Sequence, residues 1–238
     1  MDVTDWIAHL DDAGRRLADA ASAAELDAGL GAPVPTCPDW RVRDLLLHVG
    51  GVHRWASRVL CDGATGFGYA GERHGDAGLI DWFREGHAAL VHALRDAPAD
   101  LDCWTFFSAP SSLAFWARRQ AHETTVHRVD AESAAGERFP ISAELAADGV
   151  DELLTGFVAG RARKLRSDPP RVLEVSTVDT NDRWQLAVST TEPVVVQGKL
   201  PDTVITGPAS NVYLALWNRA SLDTLKITGD RWLIDNWP

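Results

Sequence analysis

Cysteine is scarce in this chain: Cys37, Cys61 and Cys103 are the only three in 238 residues, widely spaced and odd in number. That fits neither a disulfide framework nor a zinc ribbon, and it points to a reducing compartment. A free cysteine such as Cys37 is ordinarily a small buried hydrophobe, with nucleophilic use the rarer alternative. Long apolar runs are missing as well. No segment approaches the ~18 consecutive apolar residues of a membrane span, and Met1-Asp-Val-Thr-Asp-Trp has no signal-peptide character. The expectation is a cytoplasmic protein. Positive charge is also in deficit, with 23 Lys and Arg against 34 Asp and Glu, a net charge of -11. Such a surface repels phosphate backbones and anionic lipid, which excludes nucleic acid and membranes as natural partners. A Ser-His-Asp elbow and a Walker loop are absent too.

What is present suits a folded protein of two domains, since 45% hydrophobic and 24% charged residues lie near the globular average. Apolar residues recur at three and four over Asp5–Leu26, Arg41–Leu60, Leu79–Ala97 and Ser111–Ala135, predicting four amphipathic helices able to pack antiparallel. Pro38-Asp39 is placed to open the second helix, Gly63 to end it, and Gly136 to close the fourth. A fifth helical stretch, Ser142–Lys164, runs into Ser167-Asp-Pro-Pro, which reads as a linker. Beyond it the period falls to two. Arg171–Val178 and Arg183–Ser189 read as a hairpin across Asp179-Thr-Asn-Asp, Val194–Gly198 and Thr203–Gly207 as short strands, Ser210–Asn218 as a helix, and Thr224–Gly229 as a last strand. The fold expected is α+β in two domains, a four-helix bundle over residues 1–165 and a small α+β domain over 166–238.

One segment, His122-Glu-Thr-Thr-Val-His127, nearly spells the zincin motif but sets its histidines five apart. Five residues turn about 500° around a helix, which leaves the two rings roughly 140° out of register and unable to share an ion. Glu123 and His127, four apart, lie about 40° apart on adjoining turns and can meet at one cation. A third ligand must come from another helix. His48 falls within the apolar arc of Leu45, Val49, Val52, Ala56 and Val59 and is expected to point into the bundle, whereas His53 lies toward the edge. His48, Glu123 and His127 would then form a two-histidine, one-carboxylate centre. The alternative is a set of internally hydrogen-bonded polar groups.

Other features carry weaker readings. His9, His53, His74, His87 and His92 are treated as surface or packing residues. Gly66-Phe-Gly-Tyr-Ala-Gly71 fits the dinucleotide fingerprint by letter, but it follows a helix rather than a strand and reads as a loop. Arg118-Arg119 and Arg161–Arg166 read as solvated helix faces. Trp116 shares a helical face with Glu123 and His127, where it could wall a substrate pocket or simply pack the core.

Two segments carry a family resemblance. Val34-Pro-Thr-Cys-Pro-Asp-Trp-Arg-Val-Arg-Asp-Leu-Leu-Leu-His-Val-Gly50 and Phe115-Trp-Ala-Arg-Arg-Gln-Ala-His-Glu-Thr-Thr-Val-His-Arg-Val-Asp-Ala-Glu132 resemble, in order and spacing, the signatures of the mycothiol-dependent maleylpyruvate isomerase family of actinobacteria. The resemblance implies a DinB-like, up-down, metal-binding four-helix bundle followed by a sterol-carrier-protein-like domain. It implies His48, Glu123 and His127 as ligands of a divalent metal, expected to be zinc, and mycothiol as thiol cofactor. It also implies an arginine of the C-terminal domain near the thiol. Arg219 is the best match, with Asn218 standing where a glycine is expected, and Arg231 is its rival. The activity implied is isomerase or thiol-transferase chemistry on a small, anionic electrophile. A non-catalytic ligand-binding or stress-related bundle and a hydrolase using metal-bound water are the competing readings.

Overall fold

The computed structural model describes residues 1–68, 74–138, 140–159 and 164–237. Tyr69, Ala70 and Gly71 of the glycine-rich segment, and Arg161, Ala162 and Arg163 of the basic run, lie outside the described residues. The chain divides into two compact units, residues 1–139 and 140–238.

The first unit holds α1 (Val3–Ala28), the hairpin β1 (Pro33–Val34) and β2 (Cys37–Arg41), α2 (Val42–Asp62), α3 (Leu79–Asp96) and α4 (Ser112–Ala134). Local chemistry sets the ends. Asp2 and Asp5 exchange backbone-to-carboxylate hydrogen bonds in a capping box at the start of α1, and Ser111 accepts from the Ala114 N–H at the start of α4. Gly63 and Gly136 take the left-handed conformation after α2 and α4, as their positions predict. Pro38-Asp39, by contrast, does not open α2. Proline pushes the residue before it into extended backbone, and Cys37–Arg41 pairs antiparallel with β1, so that the helix begins only at Val42.

Around the bundle α1 lies along α4 and α3, and α2 lies along α3 and α4. Helices α1 and α2 therefore occupy opposite corners, and the chain crosses between them through the β1–β2 hairpin, which packs on α4 and α2. That crossing lays Thr36, Cys37 and Trp40 beside the exposed edge of the α2–α4 contact. Close approach of α2 to α3 depends on Gly50, where any side chain would collide with the Trp82 ring. Two clusters of buried apolar residues fill the bundle, one around Leu45, Leu46, Val49 and Phe83, the other around Trp55, Val59, Phe115 and Trp116.

The second unit is a five-stranded sheet in the order β5-β4-β3-β6-β7 with α5 and α6. Its strands are β3 (Arg171–Thr177), β4 (Arg183–Val188), β5 (Val194–Val196), β6 (Thr203–Gly207) and β7 (Lys226–Gly229). The β3–β4 hairpin turns where expected, with Asn181 at φ 61°. Only β3 and β6 run parallel. Leu173, Val175, Leu186, Val188 and Ile205 are buried from the sheet, as are Val212, Tyr213 and Leu216 from α6 (Ala209–Leu216). A short α7 (Trp232–Asp235) ends the unit.

The boundary at 165/166 expected from composition is not where the chain divides. Helix α5 (Ala143–Glu152), continued by a π-helical turn over Leu153–Val158, packs on α6, and Asp151 accepts a 2.9 Å hydrogen bond from the Trp184 indole of β4. The Ser167-Asp-Pro-Pro segment is likewise no linker. The Ser167 N–H donates to the Ser189 carbonyl, and its hydroxyl accepts from Arg171 Nε, which anchors the segment to the sheet. Among the described residues no helix is long and apolar enough to cross a membrane.

Candidate metal centre

His48 comes from α2, and Glu123 with His127 from successive turns of α4. Their donor atoms all lie within 4.8 Å of one another. Glu123 Oε1 is 3.2 Å from His48 Nε2 and 3.5 Å from His127 Nε2. Ligands about 2.1 Å from a tetrahedral ion stand about 3.4 Å apart, so two of the three edges already have that length. The donor set, two imidazole nitrogens and one carboxylate oxygen, suits a borderline divalent ion such as zinc and leaves room for a further ligand.

The cluster sits at the rim of the bundle, not at its centre. The His48 and Glu123 side chains are 28% and 23% exposed, whereas His53, expected at the edge, is fully buried with Nε2 2.9 Å from Thr124 Oγ1. The inversion follows from what packs on each side: Phe83 and His87 of α3 and Thr124 of α4 close over His53, whereas His48 stands at the edge beside Trp40 of β2. The Trp40 indole stacks on the His127 ring at 5.8 Å with planes 14° apart, and it lies 4.9 Å from the His48 ring.

Each ligand is oriented by a neighbour. Arg119, one turn before Glu123, donates to Glu123 Oε2 at 3.3 Å and leaves Oε1 facing the histidines. His127 Nδ1 is 2.8 Å from Oδ2 of the fully buried Asp130, which also accepts a 2.6 Å hydrogen bond from the Thr36 hydroxyl at Oδ1. Burial by itself would raise the Glu123 pKa, but hydrogen bonds from His127 and His48 and the charges of His127 and Arg119 hold it well below the usual carboxylate range. For His127 burial acts to lower the pKa, and the hydrogen bonds to Asp130 and Glu123, with the charges of both, overcome it and carry the value to about 9.

Several expectations resolve differently. His122 takes no part in the cluster, in keeping with its register. Arg119 is not on a solvated face but buried against Glu123. Trp116 is fully buried, donates its indole N–H to the Trp104 carbonyl at 2.9 Å, and meets Trp55, Trp104, Phe106 and Phe115 in an aromatic cluster, which is core packing rather than a wall of the histidine–glutamate site. In the second unit Arg219 is half-buried and donates to the Trp217 carbonyl at 2.9 Å, while Arg231 is exposed and lies 3.8 Å from Asp235. Asn218 has φ 58°. That is the left-handed region, so the asparagine adopts the conformation for which a glycine is expected there.

Asp130 and Thr36 were missed by spacing arguments confined to metal ligands. The signal was available: Asp130 follows His127 by three, the distance at which helical side chains meet, and both residues fall inside the two segments that carry the family resemblance.

Fold and site together define a helical-bundle protein with a two-histidine, one-carboxylate cluster on its rim, extended by a small α+β unit. The sequence profile described as the mycothiol maleylpyruvate isomerase N-terminal domain matches residues 10–132, and that of the C-terminal domain of the same proteins matches residues 144–236. The chain belongs to the mycothiol maleylpyruvate isomerase family. Two crystal structures of the mycothiol-dependent maleylpyruvate isomerase share its fold. A histidine-to-alanine mutant has TM-score 0.70 and 12% identity, and a second structure has TM-score 0.69 and 14% identity. Each comparison covers 96% of this chain and 93% of the other. No curated protein matches the chain by sequence.

Proposed function

We propose that this chain is a divalent-metal- and mycothiol-dependent isomerase or thiol transferase acting on a small, anionic electrophile, with maleylpyruvate as the reference substrate. The observation that carries the reading is the convergence of His48, Glu123 and His127 on one point open to solvent. A divalent ion there would hold the thiol sulfur as a thiolate, able to add to a conjugated cis double bond, let the resulting single bond rotate, and leave again to give the trans isomer.

The protein's own groups prepare the site for that chemistry. His48 and His127 supply imidazole nitrogens, and Asp130 accepts a hydrogen bond from Nδ1–H of His127 so that Nε2 points into the cluster. Arg119 balances the charge of Glu123 and fixes its rotamer. Trp40 flanks both rings, limiting water on that side. By the family resemblance Arg219, with Arg231 as its rival, is the candidate to hold the thiol cofactor.

The test is to measure bound metal in the purified chain and to follow maleylpyruvate isomerisation with and without mycothiol. About one divalent ion per chain and turnover that needs both metal and thiol are expected. A chain with no bound metal and no thermal shift on adding zinc or nickel refutes the reading. Metal-dependent turnover that is indifferent to thiol would assign the site to water chemistry instead.

A further inference from the structure

We propose that Asp130, anchored by Thr36 of the β1–β2 crossing, is the positioning residue that sets which nitrogen of His127 faces the metal; the inference rests on the metal-site reading above. His127 can present either ring nitrogen, and an unrestrained imidazole divides between two tautomers and two ring orientations. Here Nδ1 lies 2.8 Å from Asp130 Oδ2, and a carboxylate can only accept, so Nδ1 keeps its proton and Nε2 is the nitrogen left facing Glu123 and His48, the one that can serve as metal donor.

Asp130 is itself held. The Thr36 hydroxyl donates to Oδ1 at 2.6 Å, and the Cys37 thiol approaches Oδ2 at 3.7 Å. Ser133 Oγ, 3.4 Å from Thr36 Oγ1, donates to the Asp130 carbonyl at 3.0 Å, closing the group on the α4 side. The carboxylate is fully buried, so its rotamer is fixed by these neighbours rather than by water. Thr36 lies in the turn between β1 and β2, and β1 packs on α4, which brings the Thr36 hydroxyl to the last turns of that helix. The diagonal crossing, which a bundle with neighbouring successive helices would not need, thereby acquires a role at the site.

Zinc affinity by competition with a chromophoric chelator, combined with nitrogen-15 NMR of the zinc-bound imidazoles, tests the assignment. Replacing the carboxylate partner of a metal-bound histidine typically weakens binding about 10–100-fold. That loss is expected for Asp130→Ala, with the hydrogen-bonded Nδ1 proton signal of His127 disappearing. Asp130→Asn keeps an acceptor oxygen without the charge, and should retain that signal with a smaller loss of affinity. Thr36→Val leaves Asp130 in place but unanchored, and should weaken zinc binding several-fold with its melting behaviour close to the wild type. These two conservative variants preserve the test if the alanine variant does not fold. Zinc affinities within threefold of the wild type in the folded variants, with the Nδ1 signal unchanged, overturn the role of Asp130 alone. A wild-type chain that binds no zinc overturns the metal-site reading and this inference with it.

Discussion

Two histidines buried inside the bundle make its stability depend on pH in a direction that the structure fixes. His53 on α2 and His87 on α3 have ring centroids 5.2 Å apart, and Nδ1 of each is buried with no hydrogen-bond partner among the described residues. Burial is the largest cause depressing the His53 pKa well below its usual value. The charges of His87, Arg54 and His127 act in the same direction, and that of Glu123 opposes them. Burial likewise lowers His87, partly offset by its hydrogen bond to the Asp11 backbone and the Asp11 charge. An unfolded histidine titrates near 6.5, so below that pH the unfolded chain takes up protons that the folded chain refuses, and stability falls with the pH. At pH 5.5, one unit below that midpoint, the loss relative to pH 7.5 is up to about 1.3 kcal/mol for His53. His127 works in the opposite sense, because its raised pKa adds stability that is complete below 6.5 and disappears as the pH rises through about 9. The clean measurement is therefore a difference. His53→Gln keeps a hydrogen-bonding group for Thr124 without the titration. Urea unfolding of the wild type and the variant, both in chelator at pH 7.5 and 5.5, should show the stability gap between them shift by about 1.3 kcal/mol in favour of the variant at the lower pH. A gap that stays constant within about 0.3 kcal/mol would show that His53 is solvated or charged in the folded bundle, and would refute the argument.

His127→Ala should abolish tight metal binding and its thermal shift while the far-ultraviolet circular dichroism spectrum keeps its helical form, since alanine suits the helix. Zinc uptake at pH 7 should release close to one proton, because metal-free His127 holds its proton up to about pH 9; calorimetry in two buffers of different ionisation enthalpy measures the number, and a value near zero would contradict the hydrogen bonding described. Trp116→Ala removes a fully buried ring from the aromatic cluster and should cost about 3–5 kcal/mol in urea unfolding, with metal stoichiometry unchanged in the folded fraction. Asn218→Gly should alter the stability of the chain by only a few tenths of a kcal/mol, whereas Asn218→Val should cost about 1–2 kcal/mol, because a branched side chain opposes φ 58°.

The parts of the fold and site that were legible in the sequence are those governed by one period or one cap. Helical spacing located the four long helices and paired Glu123 with His127, because residues four apart on a helix must share a side whatever surrounds them. The same reasoning misplaced His48 and His53. Their angles on α2 are correct, but burial depends on which other element covers each side: Phe83 and His87 of α3 close over His53, while His48 stands at the edge beside Trp40, which arrives through a crossing that no helical period encodes. Arg119 and Asp130 were hidden for a related reason: charged residues read as solvated until a partner is placed beside them, and their partners, Glu123 and His127, lie on their own helix while the shielding comes from elsewhere. The domain boundary shows the limit from the other side. Proline-rich composition at Ser167-Asp-Pro-Pro marks a turn equally well inside a domain or between two, and only the contacts of α5 with α6 and of Asp151 with Trp184 decide the case. A cluster at the rim, held from behind by a buried carboxylate, is what a site needs if it is to fix an ion and still admit a thiol and an electrophile. Deeper burial of His48, as its helical angle alone suggests, would have closed the coordination position on which the proposed chemistry depends.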